Sequence, residues 1–252
     1  MKKILTLLLL SLCFFGNAQN DVLFKTAADA YNKGNYEKAA EDYLKIIENG
    51  QHSAAVYYNL GNAYYKLNKV APSIYYFEKA LLLKPNDPEI KNNLGYAQNM
   101  ALDAIEVSQE TGMSRLYHSV ISFLSYDQWA YTAILLMFVF VLAYIAFYYF
   151  RYASYKRIAF IGSFIALFLS VLSVLMAYLQ YNTIEADQPA IVFSEAVGVK
   201  AEPNDRTSDV FTLHEGAKVN VLETFNNWKK IELADGKTGW LLDEHIKLLK
   251  NF

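Results

Sequence analysis

The stretch from Ala130 to Leu179 reads AYTAILLMFVFVLAYIAFYYF, then RYASYKR, then IAFIGSFIALFLSVLSVLMAYL. The first run is 21 residues without a charge and the last is 22. At about 1.5 Å per helical residue, each is long enough to cross the roughly 30 Å hydrocarbon layer of a bilayer. Trp129, Tyr131, Tyr148, Tyr149, Tyr152, Tyr155, Tyr178 and Tyr181 crowd the ends of the two runs, as interfacial aromatic belts do. The seven residues between the runs carry Arg151, Lys156 and Arg157 and no acid. Positive residues stay cytoplasmic. The sequence thus predicts membrane spans at 129–150 and 158–180, a cytoplasmic loop at 151–157, and both flanking blocks outside.

Neither span contains an Asp, Glu, Lys, Arg or His, which argues against a transporter or a proton path. Gly162, Ala166, Ser170, Ser173 and Ala177 fall on one stripe of the second span. Small residues at this spacing let helices pack backbone to backbone in lipid. The partner is the first span or a helix of another protein. Upstream, Leu116, Val120, Phe123 and Leu124 recur at helical spacing beside Arg115, His118 and Ser119. Residues 113–128 therefore read as an amphipathic linker on the outer membrane surface, or as the end of the preceding helical block.

Working outward, charge separates the flanks from the middle. Residues 19–112 hold 9 basic and 12 acidic side chains, 185–252 hold 8 and 12, and 113–184 hold 4 and 1. Two mildly acidic, water-compatible blocks thus bracket an apolar centre. The net charge of −2 lacks the basic face that nucleic-acid binding needs. At the start, Lys2 and Lys3 precede an apolar run from Ile4 to Phe15 and then Gly16-Asn17-Ala18. That is the order of a secretory signal peptide over 1–18, with cleavage expected after Ala18; an uncleaved anchor is the rival reading. Leu12 stands where a lipoprotein signal needs a small residue, so lipid attachment at Cys13 is rejected. With Cys13 removed, no cysteine is left for a disulfide, a nucleophile or a metal.

Residues 19–112 contain repeats. Tyr36, Ala39 and Tyr43 recur at a shift of 34 as Val70, Ser73 and Phe77. The second unit is clearer, with Tyr57, Leu60-Gly61, Tyr64, Ser73, Phe77, Ala80 and Pro85. This pattern resembles the tetratricopeptide repeat (TPR), with Ser73 in place of the usual Ala. Gly61 and Ser73 are small so that paired helices approach closely, while Leu60, Tyr64 and Phe77 fill the gap. Pro85 ends the second helix, because proline has no backbone N–H and clashes with the preceding turn. A third unit begins at Pro88 and fades after Tyr96; residues 88–110 are expected to form a closing helix with Leu94, Leu102 and Ile105 inward. About three units are normally needed to bury such a core, so either a fourth is missing or a partner covers the open end.

The TPR resemblance implies a concave groove lined by Phe24, Tyr31, Tyr58, Asn62, Tyr65, Asn92 and Tyr96. Tyrosines beside amides suit a peptide groove, although packing between repeats would use the same tyrosines. Relatives that clamp a terminal carboxylate use basic groove residues; Phe24 and Ala28 occupy two of those positions.

The C-terminal block, 181–252, is β-rich after Pro189. Short runs at 196–200, 211–214, 219–223, 228–233 and 238–242 are separated by turns, and Ala234-Asp235-Gly236-Lys237 is a hairpin signal. Leu213 with Glu215-Gly216, Trp228-Lys-Lys-Ile and Asp235-Gly-Lys-Thr-Gly-Trp-Leu resemble a bacterial SH3-like domain. The expected core is Val199, Leu213, Val219, Val221, Ile231, Leu233 and Trp240, with Gly239 allowing a bend or close approach. Asp205, Phe225 and Trp228 are the candidate rim of a groove, with Trp228 alternatively a structural lid. By the resemblance, such a module takes cell-wall peptide (peptidoglycan) or protein.

Catalytic patterns are not found. His52, His118, His214 and His245 are isolated, and there is no HExxH, GxSxG or glycine-rich phosphate loop. The expectation is a non-enzyme without metal or other cofactor. The fold class is a multidomain membrane protein: a helical TPR array, a two-helix transmembrane hairpin and an all-β SH3-like barrel. That order resembles the BatE family of the Bacteroides aerotolerance (Bat) system. The resemblance implies a scaffold at the bacterial inner membrane with both soluble domains in the periplasm. It also implies membrane-anchored von Willebrand A-domain proteins and other Bat-type components as partners, and a role in oxygen or oxidative-stress tolerance. The alternative is a peptidoglycan-binding membrane protein acting through its SH3-like domain.

Overall fold

The computed structural model describes residues 19–103 and 112–251. The signal segment and Ile105 lie outside the described residues. Contacts divide the chain into two compact units: residues 19–103 together with 188–251, and residues 112–187.

The first unit begins with five helices: α1 over 19–32, then α2 (Tyr36–Glu48), α3 (Ala54–Lys66), α4 (Val70–Leu83) and α5 (Pro88–Gln98). Gly34 turns the chain at φ +80°, and the Asn35 side chain then accepts from the Lys38 N–H to start α2. Ser53 and Asp87 cap α3 and α5 in the same way, each satisfying an amide that the first helical turn leaves bare. Gly61 is required by contact: a Cβ there would lie 2.8 Å from the Phe77 ring. Ser73 does more than stay small, since its Oγ donates to the Gly61 carbonyl at 3.0 Å in a fully buried position. Leu94 is buried, but the closing helix stops at Gln98 and Leu102 is 78% exposed. Met100 and Ala101 pack inward in its place. The inward face expected of Leu102 assumed a helix that continued to residue 110.

The same unit ends in seven short strands: β1 (Pro189–Val192), β2 (Ala196–Lys200), β3 (Asp209–His214), β4 (Lys218–Phe225), β5 (Trp228–Glu232), β6 (Thr238–Leu242) and β7 (Ile246–Leu248), with one 3₁₀ turn at Asp243–His245. They form one antiparallel sheet in the order β3-β2-β6-β5-β4-β1-β7, consistent with an SH3-like fold. The β5–β6 hairpin turns at Gly236, φ +86°, with Leu233 N–H on the Lys237 carbonyl. Val199, Leu213, Val219, Val221, Ile231 and Leu233 are buried together. Trp240 is not among them. Ile231 pairs with Gly239, so strand alternation turns Leu241 inward and Trp240 to the other face. There Lys230 lies over its ring at 6.0 Å. Gly239 lets Val199 approach where a Cβ would clash.

The second unit holds α6 (Gly112–Ile121), α7 (Tyr126–Tyr149) and α8 (Ala153–Ala186). Both α7 and α8 are long and apolar enough to cross a membrane. Their break is shorter than the seven-residue loop expected. Only residues 150–152 lie between them, and Lys156 and Arg157 belong to the first turns of α8, because nothing in Ala-Ser-Tyr-Lys-Arg breaks a helix. α8 also runs past residue 180, and the sheet begins at Pro189. The helices meet along Ala133 on α7 and Ala159, Ser163, Ala166, Ser170 and Ser173 on α8, all buried. Ser170 Oγ donates to the Ala133 carbonyl at 2.9 Å. Ala177 is half-buried. Gly162 is exposed, with nothing within 4 Å of where its Cβ would be. The seam passes through Ala159 and Ser163 instead, one residue along from the small residue that the stripe began with.

Candidate functional site: the repeat groove and the β-domain pocket

Helices α1, α3 and α5 are the first helices of the successive repeat units. Tyr58 and Asn62 stand one turn apart on α3, partly exposed. Asn93 on α5 joins them: its amide donates to Tyr58 Oη at 2.9 Å and to Asn62 Oδ1 at 2.8 Å. The Tyr58 hydroxyl donates to Glu89 Oε1 at 2.7 Å. Burial and the Glu89 carboxylate both hold the Tyr58 phenol above its usual pKa, so it stays a donor. Asn93 and Glu89 escape the repeat-position reading of the sequence. The signal that could have found them is the cap Asp87-Pro88, which fixes where α5 starts and which face its next residues present.

The remaining expected groove residues divide. Asn92 is exposed and Tyr96 is 58% exposed. Tyr65 is half-buried against the core that includes Tyr57 and Phe77. Phe24 meets the buried Tyr43 ring edge-on at 5.5 Å, and Tyr31 meets Tyr36 at 5.1 Å. Both belong to the apolar packing around α2. The structure thus gathers Tyr58, Asn62, Asn93 and Glu89 into one polar cluster, leaves Asn92 and Tyr96 exposed on α5, and places Phe24 and Tyr31 in inter-helix packing.

The outer side of α4 has a different occupant, the chain's own β domain. Ile191 and Leu249, both fully buried, share a core with Val70, Ile74 and Tyr75. Phe193 meets Tyr75 edge-on at 5.5 Å. The single Tyr75 hydroxyl proton is shared between two acceptors, Asn251 Oδ1 at 2.9 Å and the Leu248 carbonyl at 3.2 Å from Oη. Lys79 donates to the Asn251 carbonyl and side chain, both at 3.0 Å, and lies over the rings of Tyr57 and Tyr75. Burial pulls its ammonium down to about 8. Glu78 pairs with Lys218 at 2.8 Å, and the Asp103 carboxylate accepts from both the His214 backbone and its ring nitrogen Nδ1. Gly216, at φ +88°, fits tightly against Ile74 and Val70. The covering of the repeat array that the sequence left to a fourth unit or a partner is therefore supplied in part from within.

The β domain has a cavity of about 280 Å³ lined by Ala196, Val197, Gly198, Lys200, Asp205, Asp209, Trp228, Leu242 and His245. Gly198 gives room for the Asp209 side chain, which a Cβ would meet. Lys200 Nζ donates to Asp209 Oδ1 at 3.1 Å and to the Thr207 carbonyl at 3.0 Å, tying the end of the 201–208 loop, which supplies Asp205 to the lining, back to β2. Trp228 lines it but is only 7% exposed, which fits the structural lid better than an open groove rim. His245 bonds Ser194 through Nδ1 at 2.7 Å. Phe225, 55% exposed at the end of β4, is not among the lining residues. The cavity's mixture of carboxylates, one ammonium and one indole suits a small polar ligand or peptide.

Among the described residues no three His, Cys, Asp or Glu side chains gather as a metal site. Residues 54–87 match the family model for the tetratricopeptide repeat, and residues 195–247 match that for the bacterial SH3 domain. A comparison with curated proteins finds no match. The chain thus joins a tetratricopeptide repeat and a bacterial SH3 domain within one packed unit.

Proposed function

We propose that this chain is a non-catalytic, membrane-anchored adaptor whose repeat groove holds a segment of a partner protein on the periplasmic side of the inner membrane. The observation that carries this reading is the division of the repeat surface. The outer side of α4 is occupied by the chain's own β domain, while Tyr58, Asn62, Asn92 and Tyr96 remain reachable. Amphipathic aromatics beside amides are the side chains that dominate peptide grooves. The docking of the two blocks also bears on topology. They flank two candidate spans, and an even number of crossings returns the chain to the side it left. The signal-like N-terminus and the Arg151, Lys156 and Arg157 cluster favour the outside for both.

By its resemblance to the BatE family, the adaptor serves an envelope complex with membrane-anchored von Willebrand A-domain proteins, in oxygen or oxidative-stress tolerance. Crosslinking in native membranes identifies the partner. Changing Tyr58, Asn62 and Asn92 together to Ala should abolish its recovery without lowering the level of the protein, since loss of an anchor aromatic alone costs ~2 kcal/mol or more of binding. Undiminished recovery would overturn the groove reading.

The β-domain cavity supports a second reading, in which Lys200, Asp205 and Asp209 grip peptidoglycan. The test is retention of the whole chain on purified cell wall, lost in Asp205→Asn. An isolated 188–251 fragment would be a poor probe, because it would expose Ile191, Phe193 and Leu249.

A further inference from the structure

Helix α6 is short, about 15 Å at the helical rise, and too short to span a bilayer. Its apolar side chains form one row, Met113, Leu116, Tyr117 and Val120, at i, i+3, i+4 and i+7. The row is solvent-exposed in large part: Met113 is 77% exposed, Leu116 60%, Val120 49% and Tyr117 45%, and Phe123 just beyond is 78%. Arg115 and Ser119 lie off that row, and no acid occurs between Gly112 and Tyr126.

Two observations say what covers the row. The helix belongs to the compact unit of α7 and α8 and contacts α8, so it is not a last piece of the repeat array. It is also fixed at the start of α7. The Trp129 indole donates to the Ile121 carbonyl at 3.0 Å, satisfying one acceptor that the end of α6 leaves bare, and Ile121 itself is buried. Ser125 and Gln128 then form a reciprocal capping box that restarts the chain as α7. Tyr126 meets Tyr181 of α8 edge-on at this same end of the hairpin. Trp129, Tyr126 and Tyr181 are the residue types that settle at the headgroup level. The elbow therefore holds α6 at that depth, where its row continues the apolar surface of the spans.

We propose that α6 is an interfacial lipid-binding helix, with Met113, Leu116, Tyr117 and Val120 at the boundary of headgroups and acyl chains and Arg115 toward the phosphates. The inference rests on the reading of α7 and α8 as membrane spans. Amphipathic helices with a basic polar face bind in this way.

The test uses the full chain with Cys13→Ser, reconstituted in vesicles of phosphatidylethanolamine and phosphatidylglycerol. Single cysteines from Met113 to Ile121, and one at Val139 in α7, carry a nitroxide. Accessibility to oxygen, which partitions into lipid, is compared with that to a water-soluble nickel chelate. The expected result is a ratio that oscillates along α6 with a period of about 3.6 residues. It should be high at Leu116 and Val120, low at Arg115 and Ser119, and high at Val139. A flat, water-like profile across α6 with Val139 in lipid would overturn the proposal and leave the spans standing. Labels at Leu116 and Val120 shielded from both reagents would overturn it too, by showing a protein contact. Water access at Val139 as well would overturn the membrane reading, and the proposal with it.

Discussion

In the repeat and β-domain unit, the side chains removed from solvent are large: Tyr43, Tyr57, Phe77, Leu60, Ile74, Ile231 and Leu241 are each less than 2% exposed. In the hairpin unit the order is reversed. Buried positions are Ala133, Ala159, Ser163, Ala166, Ser170 and Ser173, while Phe138, Phe164 and Phe168 are each more than half exposed. One chain thus follows two packing rules. Burying large apolar groups stabilises a fold only when the alternative is water. Where lipid is the alternative, close backbone approach and an interhelical hydrogen bond such as Ser170 to Ala133 do the holding. The reversal is what supports the proposal that α7 and α8, long and apolar enough to cross a membrane, do so.

Truncating aromatics separates the rules most widely. Phe77→Ala should destabilise the first unit by about 3–5 kcal/mol, whereas Phe168→Ala should leave the hairpin's resistance to protease in vesicles unchanged. Comparable losses at both sites would show that the hairpin is packed as an ordinary soluble core.

Adding volume gives a smaller contrast. Gly61→Val drives a side chain into Phe77, at a cost of about 1–3 kcal/mol, visible as a lower denaturation midpoint and reduced abundance. Gly162→Val meets nothing and should be silent. Ala166→Ile, on the seam, should lower protease resistance of the isolated hairpin-bearing protein. A silent Ala166→Ile would show that α7 and α8 do not depend on that face.

Within the soluble unit, the seam between α4 and the β domain has a pH signature. Unfolded lysine titrates near 10.4, but Lys79 is held at about 8 by burial. Between those values the unfolded chain binds more protons, so stability should rise with pH from about 8. Above about 10 the unfolded tyrosines ionise, while Tyr43 and Tyr57, raised by burial to about 12, keep their protons. The folded state then binds more protons, and stability should fall. Urea unfolding followed by tryptophan fluorescence should show a maximum near pH 10. Lys79→Met should remove the rising limb and leave the falling one.

The smallest effect concerns Asp103. Asp103→Asn should cost the seam about 1–2 kcal/mol and leave the hairpin unaffected, as read by protease resistance of each.

How much of this was legible in the sequence follows from the range of the interactions involved. Gly61, Ser73, Phe77 and Pro85 announce a helix pair because their spacing is local. The two uncharged runs announce two long apolar helices for the same reason. Strand alternation found six of the seven expected core residues in the β domain. It failed at Trp240, where size suggested burial but pairing of Gly239 with Ile231 set the face. The seam between Tyr75, Lys79 and Asn251 joins residues more than 170 positions apart, and lysine and asparagine carry no apolar signature. Strands β1 and β7, which deliver Ile191 and Leu249 to that seam, are four and three residues long, too short for a period to show. Asn93 and Glu89 were hidden because their role is set by contact with α3, not by position within α5.

The central claim is that the repeats and the β domain share one side of a membrane and the break between α7 and α8 lies on the other. Single cysteines at Asn35, Asn204 and Ser154, in a Cys13→Ser background, test it directly with a membrane-impermeant maleimide on intact spheroplasts. The account predicts labelling at Asn35 and Asn204, and at Ser154 only after lysis. Labelling of Ser154 in intact cells, or of only one of the other two, would contradict it.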